Sequence, residues 1–128
     1  MQFSIPMPNG RKIHTVLASN VDGNLGNLTC DALISNFKYL RALNLSNLGL
    51  LVVPRSIEKL KHLRYLDLSR NYNIKILPNS ITKMLNLQML ILQDCGSLRE
   101  LPTGTKKLVN LRFVDITGCS DQMTNNAL

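Results

Sequence analysis

Residues 63–69 read Leu63-Arg64-Tyr65-Leu66-Asp67-Leu68-Ser69, and the Leu-x-x-Leu-x-Leu frame inside that stretch returns along the chain. It stands at Leu40-x-x-Leu43-x-Leu45, again at Leu87-x-x-Leu90-x-Leu92, and in altered form at Leu111-x-x-Val114-x-Ile116. The leading leucines step by 23, 24 and 24 residues, and Pro54, Pro78 and Pro102 step by 24 and 24. A fixed interval of this size marks a repeat architecture, in which each unit is one supersecondary element.

Working outward, the later apolar positions of each unit also recur. Leu50, Ile74 and Leu98 form one series, and Val53, Leu77 and Leu101 stand just before the prolines. Ile57 and Ile81 follow, a series that Thr105 breaks, and then Leu60, Met84 and Leu108. The Leu-x-Leu core has the two-residue alternation of a strand, so Leu43 and Leu45 point inward while Ala42, Asn44 and Ser46 point out. After the strand comes a turn whose backbone groups need partners beside an apolar core. Asn71 carries both donor and acceptor for it, and Cys95 and Cys119 bring an S–H donor to the equivalent place. Leu48 holds that place in the shorter first unit, which predicts a distorted turn there. Proline then opens a return segment, where its missing N–H costs nothing at the first turn of a short helix.

One such unit cannot offset its own ordering entropy, so burial requires neighbours above and below. Stacking predicts an α/β solenoid: a right-handed superhelix with short parallel strands on the concave face and irregular or short helical segments on the convex face.

Composition agrees. At 128 residues the chain has room for one continuous core, and 45% of it is hydrophobic with only 5% aromatic and no tryptophan. The net charge of +7 is compatible with acidic partners, but no run of five basic residues occurs and the lysines and arginines are spread along the chain, which reads as a solvated surface. Three cysteines cannot all pair within one chain, and none has metal-knuckle spacing, so a reducing, cytoplasmic setting is expected. No run of 18 apolar residues and no secretory signal is present, so membrane insertion is not expected, and the sequons at Asn27 and Asn44 read as accidental.

The segments Leu63-Arg64-Tyr65-Leu66-Asp67-Leu68-Ser69 and Leu77-Pro78-Asn79-Ser80-Ile81, joined through Asn71, closely resemble the leucine-rich repeats of plant nucleotide-binding disease resistance receptors. So do Leu87 to Cys95, with cysteine at the asparagine position, and Leu98-Arg99-Glu100-Leu101-Pro102. The resemblance covers residues 13–119. It implies a recognition domain that senses pathogen effectors or host proteins and restrains the receptor's own nucleotide-binding domain. Gly23-Asn24-Leu25-Gly26 lacks the lysine of a phosphate-binding loop, so nucleotide binding does not carry over. Intracellular repeat proteins of the Ras-group scaffold type share Leu-Pro-x-x-Ile after the strand and are the competing family.

The expected organisation is a mobile segment over 1–12, a repeat domain over 13–119, and a polar tail over 120–128. The repeat domain comprises a degenerate unit at 13–39 and repeats starting near 40, 63, 87 and 111. Ile13-x-x-Val16-Leu17 reads as a degenerate strand, Asp22 to Asn27 as a loop, and Thr29 to Asn36 as a short helix. With no return segment after Cys119, the last strand is expected to lack a cap, offering an edge for self-association.

Outward strand positions predict the binding face. Tyr65, Met89, Ile91 and Phe113 would form an apolar strip flanked by Asp67 and Asp115, with Arg41, Arg64 and Arg112 along one margin and Asn44 and Gln93 also on the partner-binding face. The alternative is that Tyr65 and Phe113 are framework residues. Enzymatic chemistry finds no support: His14 and His62 are isolated, and Asp67 and Asp115 would lie roughly 9–10 Å apart with Ile91 between them. No catalytic, metal or cofactor residues are assigned. Nucleic-acid binding is the second functional class, ranked below a protein partner: Lys38, Arg55, Lys59, Lys61, Lys83, Lys106 and Lys107 would gather towards the convex side and strand entrances, where they could track phosphates.

Overall fold

The computed structural model describes residues 14–17 and 26–126, side chains at 26–29 and 124–126 excepted. Five strands, β1 (Thr15–Leu17), β2 (Ala42–Asn44), β3 (Tyr65–Asp67), β4 (Met89–Ile91) and β5 (Phe113–Asp115), form one parallel sheet in chain order. The register repeats the sequence period: Leu43 pairs with Leu66, Leu66 with Leu90, and Leu90 with Val114. β1 joins at the near end, with Val16 beside Leu43. The segment expected to be mobile, 1–12, lies outside the described residues.

Between strands the chain returns through three 3-10 helices, Arg55–Lys59, Asn79–Lys83 and Thr103–Lys107, which pack on one another on the face opposite the strands. The prolines stand just ahead of these helices in extended conformation, with ψ of 144°, 149° and 143°. Their carbonyls accept the amides of Ile57, Ile81 and Thr105 at 3.0–3.1 Å, so proline here supplies an acceptor while withholding a donor that would have no partner.

The core is a single column. Leu43, Leu66 and Leu90, the leading leucines Leu40, Leu63 and Leu87, and the later series Leu50, Ile74 and Leu98 are all fully buried. Thr105 takes the isoleucine position by turning its hydroxyl onto the Pro102 carbonyl at 2.7 Å.

Both ends depart from the expected organisation. α1 runs over Gly26–Asn36, so Gly26 and Asn27 are helical and not part of a loop, while 22–25 lie outside the described residues. Weak helix formers are carried into α1 because its remaining side chains have a core to cover: Cys30, Leu33 and Ile34, with Phe37 just beyond its end, are buried against the first repeat. After β5, residues 121–126 form α2 (Asp121–Asn126) where a polar tail was expected. Its Met123 is fully buried, and the Ser120 hydroxyl accepts the Met123 amide at 3.2 Å. α2 covers only part of that end. Leu111, Val114 and Ile116 remain partly exposed around an apolar recess of about 240 Å³, also lined by Leu101 and Leu108.

Candidate functional site

The turn after each strand determines where the strand-face side chains stand. At one position in every turn the backbone is left-handed: Asn47 (φ 55°), Arg70 (φ 60°), Asp94 (φ 57°) and Gly118 (φ 77°). The amides of the first three donate to Ser69, Gln93 and Thr117 carbonyls of the next repeat at 2.8–2.9 Å. The following residue seals the turn, and it does so across repeats. Asn71 Nδ2 donates to the Leu45 carbonyl at 3.0 Å, while its Oδ1 accepts the Leu48 and Leu50 amides at 3.2 and 3.1 Å. The first turn, where leucine replaces asparagine, is thus satisfied by its neighbour's Asn71.

Cys95 and Cys119 repeat the donor half of this arrangement, reaching the carbonyls of Leu68 at 3.3 Å and Leu92 at 3.0 Å. Burial pushes the Cys95 thiol up to about 12, which keeps it an S–H donor at neutral pH.

On the concave face the register sets Ala42, Tyr65, Met89 and Phe113 in one row. Met89 is 37% and Phe113 48% exposed, and Tyr65 is half-buried with its hydroxyl 3.3 Å from Asp67 Oδ2. Burial first, then the Asp67 charge, raises the Tyr65 phenol above its ordinary value. Arg41, Arg64 and Arg112 are exposed at the strand entrances, with Gln88 completing their row.

The second row is Asn44, Asp67, Ile91 and Asp115. Ile91 does not join the exposed strip: it is 9% exposed, closed in between Asp67 and Asp115 on the adjacent strands. The polar members of this row are strand-end caps. Asn44, Asp67 and Asp115 accept the amides of Ser46, Ser69 and Thr117 at 2.8–2.9 Å. The Thr117 hydroxyl and amide, helped by Gln93 Nε2 at 2.9 Å from Oδ2, hold the Asp115 carboxyl below its usual range. Their side-chain oxygens therefore serve the fold before any partner arrives. Leu17, absent from the expected set, extends the same row beside Asn44 and is 72% exposed. Only the register of β1 places it there, although the Val16-Leu17 pair was the available signal.

Among the described residues no group of three or more His, Cys, Asp or Glu side chains is placed to hold a metal ion, and His62 stacks on Tyr39 with centroids 5.7 Å apart. The face offers contact, shape and charge.

Comparison with known proteins adds the following. Residues 20–126 match the family described as leucine-rich repeat region. A 44-residue stretch, 34% of this chain and 4% of the relative, is 52% identical to a protein named as the disease resistance protein RGA1 of Solanum bulbocastanum. A leucine-rich repeat protein of Leptospira interrogans has a related structure, with a TM-score of 0.61 over 87% of this chain and 33% of that one at 24% identity. The chain thus spans only a small part of the plant relative and a third of the solved structure.

Proposed function

The chain belongs to the leucine-rich repeat region family, and from that premise we propose that it is the protein-recognition part of a cytoplasmic plant immune receptor, binding an effector, a host protein or the receptor's own nucleotide-binding domain. The observation that carries this reading is the row Tyr65, Met89 and Phe113, three large apolar side chains in register on adjacent strands, beside a row whose polar members Asp67 and Asp115 are engaged in capping strands. Aromatic anchors flanked by arginine are the side chains that most often dominate a protein interface. The resemblance of the 44-residue stretch to a resistance protein supports the immune setting over a Ras-group scaffold. No described helix is long and apolar enough to cross a membrane. Catalysis is not part of the proposal.

The test is a pull-down from native plant extract with the wild-type chain and the Tyr65→Ala/Met89→Ala/Phe113→Ala variant. Each central anchor removed is expected to cost about 1–2 kcal/mol of binding, so the triple variant loses its partner. Its melting temperature stays close to wild type, because these side chains are outside the core. A variant that retains the same partner at wild-type yield removes this face from the proposal.

A further inference from the structure

The lysines that are spread along the sequence come together at one corner of the solenoid. Each 3-10 helix ends on a lysine, Lys59, Lys83 or Lys107, one repeat apart. The next residues, Leu60, Met84 and Leu108, have φ near −80° and ψ between 69° and 79°, the geometry of an inverse γ-turn. The amide two residues beyond each lysine donates back to the lysine carbonyl: Lys61 to Lys59, Leu85 to Lys83, Val109 to Lys107, at 2.9–3.0 Å. This tight bend buries the central residue and turns both flanking side chains outward. It yields two rows, Lys59, Lys83, Lys107 and Lys61, Leu85, Val109, with Lys38 and Lys106 beside them.

The corner is a rigid ridge. Asn86 Nδ2 donates to the Lys61 carbonyl at 2.9 Å and Asn110 Nδ2 to the Leu85 carbonyl at 2.8 Å, stapling each bend to the one before. Glu58 lies 3.6 Å from Lys83 and pairs with it. Six of the chain's 15 basic residues belong to this ridge. Two aliphatic side chains project from it: Val109 is 85% exposed and Leu85 57%.

We propose that this ridge is a docking edge for an anionic membrane surface, with the lysines at the headgroup phosphates and carboxylates and Leu85 and Val109 entering the interfacial layer. Clustered lysine attracts an anionic leaflet, and aliphatic side chains among the lysines gain by leaving water there. Val109 is the most exposed of the large hydrophobic side chains described. A single-stranded nucleic-acid site would add free aromatic rings on which bases stack, but the tyrosine beside these lysines, Tyr39, stacks on His62, and Arg55 opens the first 3-10 helix at the end away from Lys59. The surface is separate from the Tyr65–Met89–Phe113 row and does not depend on the recognition reading.

The experiment is co-sedimentation of the chain with phosphatidylcholine vesicles with and without phosphatidylserine. Vesicles containing phosphatidylserine are expected to bind at least about tenfold better than neutral ones, and Lys61→Glu/Lys107→Glu to lower that binding by about tenfold or more. Leu85→Ser/Val109→Ser is expected to lower it several-fold, while Tyr65→Ala/Met89→Ala/Phe113→Ala leaves it unchanged. All these positions are outside the core, and unchanged circular dichroism and melting temperature confirm that each variant is folded. Equal sedimentation with and without phosphatidylserine overturns the proposal. So does a Leu85→Ser/Val109→Ser variant that binds like wild type while an oligonucleotide displaces the chain, the signature of a nucleic-acid site.

Discussion

Asn71 joins neighbouring repeats by more bonds than any other side chain described. Its amide holds the Leu45 and Leu68 carbonyls and the Leu48 and Leu50 amides, all beside the apolar core. Removing it strands buried backbone groups, each costing about 1–3 kcal/mol, so Asn71→Ala is expected to destabilise by about 3 kcal/mol or more in urea unfolding. Cys95→Ala removes one weak S–H donor and should cost about 1 kcal/mol from that bond, plus a small packing loss. A loss below about 1 kcal/mol for Asn71→Ala would contradict the role assigned to it. The sequence revealed which residues hold the turn but not which turn they hold. Spacing along the chain says nothing of a bond to the repeat before, a link made only once units stack. Ile91 was misplaced for a related reason: alternation says that it faces outward, whereas its exposure depends on the bulk of Asp67 and Asp115 beside it.

At the scale of elements, the strands were legible because two-residue alternation and a 24-residue period constrain them jointly. The return segments were legible only as short and helix-like. Their 3-10 form reflects close stacking, with Ser56, Ser80 and Gly104 in one series where neighbouring helices meet. A Cβ at Gly104 would lie 3.1 Å from the Thr82 side chain. Small size is what this series needs, and the hydroxyls are incidental: Ser56 Oγ and Ser80 Oγ are buried without a hydrogen-bond partner. Ser80→Ala is therefore expected to raise stability by about 1 kcal/mol, read as a higher thermal midpoint. A clear drop would mean that the hydroxyl has a partner in solution. α2 escaped the reading because its sequence, Asp121 to Asn126, is polar apart from Met123, too little apolar periodicity to signal a helix.

For the whole molecule, stacking gives the chain two surfaces that no single repeat has. The apolar row Tyr65, Met89, Phe113 and the ridge of Lys59, Lys83, Lys107 are each assembled from residues about one repeat apart. The first was foreseen from alternation. The second was foreseen only as a gathering of basic residues towards the convex side and strand entrances. The tight bends that align Lys59, Lys83 and Lys107 and set Leu85 and Val109 among them were not legible, because they depend on backbone geometry that spacing does not encode. Both surfaces exist only if the parallel register is correct. The direct measurement is through-hydrogen-bond coupling in NMR of the labelled chain, from the amides of Leu45, Leu68 and Leu92 to the carbonyls of Asp67, Ile91 and Asp115, bonds of 2.7–2.8 Å in the structure. Couplings at all three pairs are expected. Their absence from a folded, well-resolved spectrum, or couplings shifted to other partners, would contradict the stacked register and with it both surfaces.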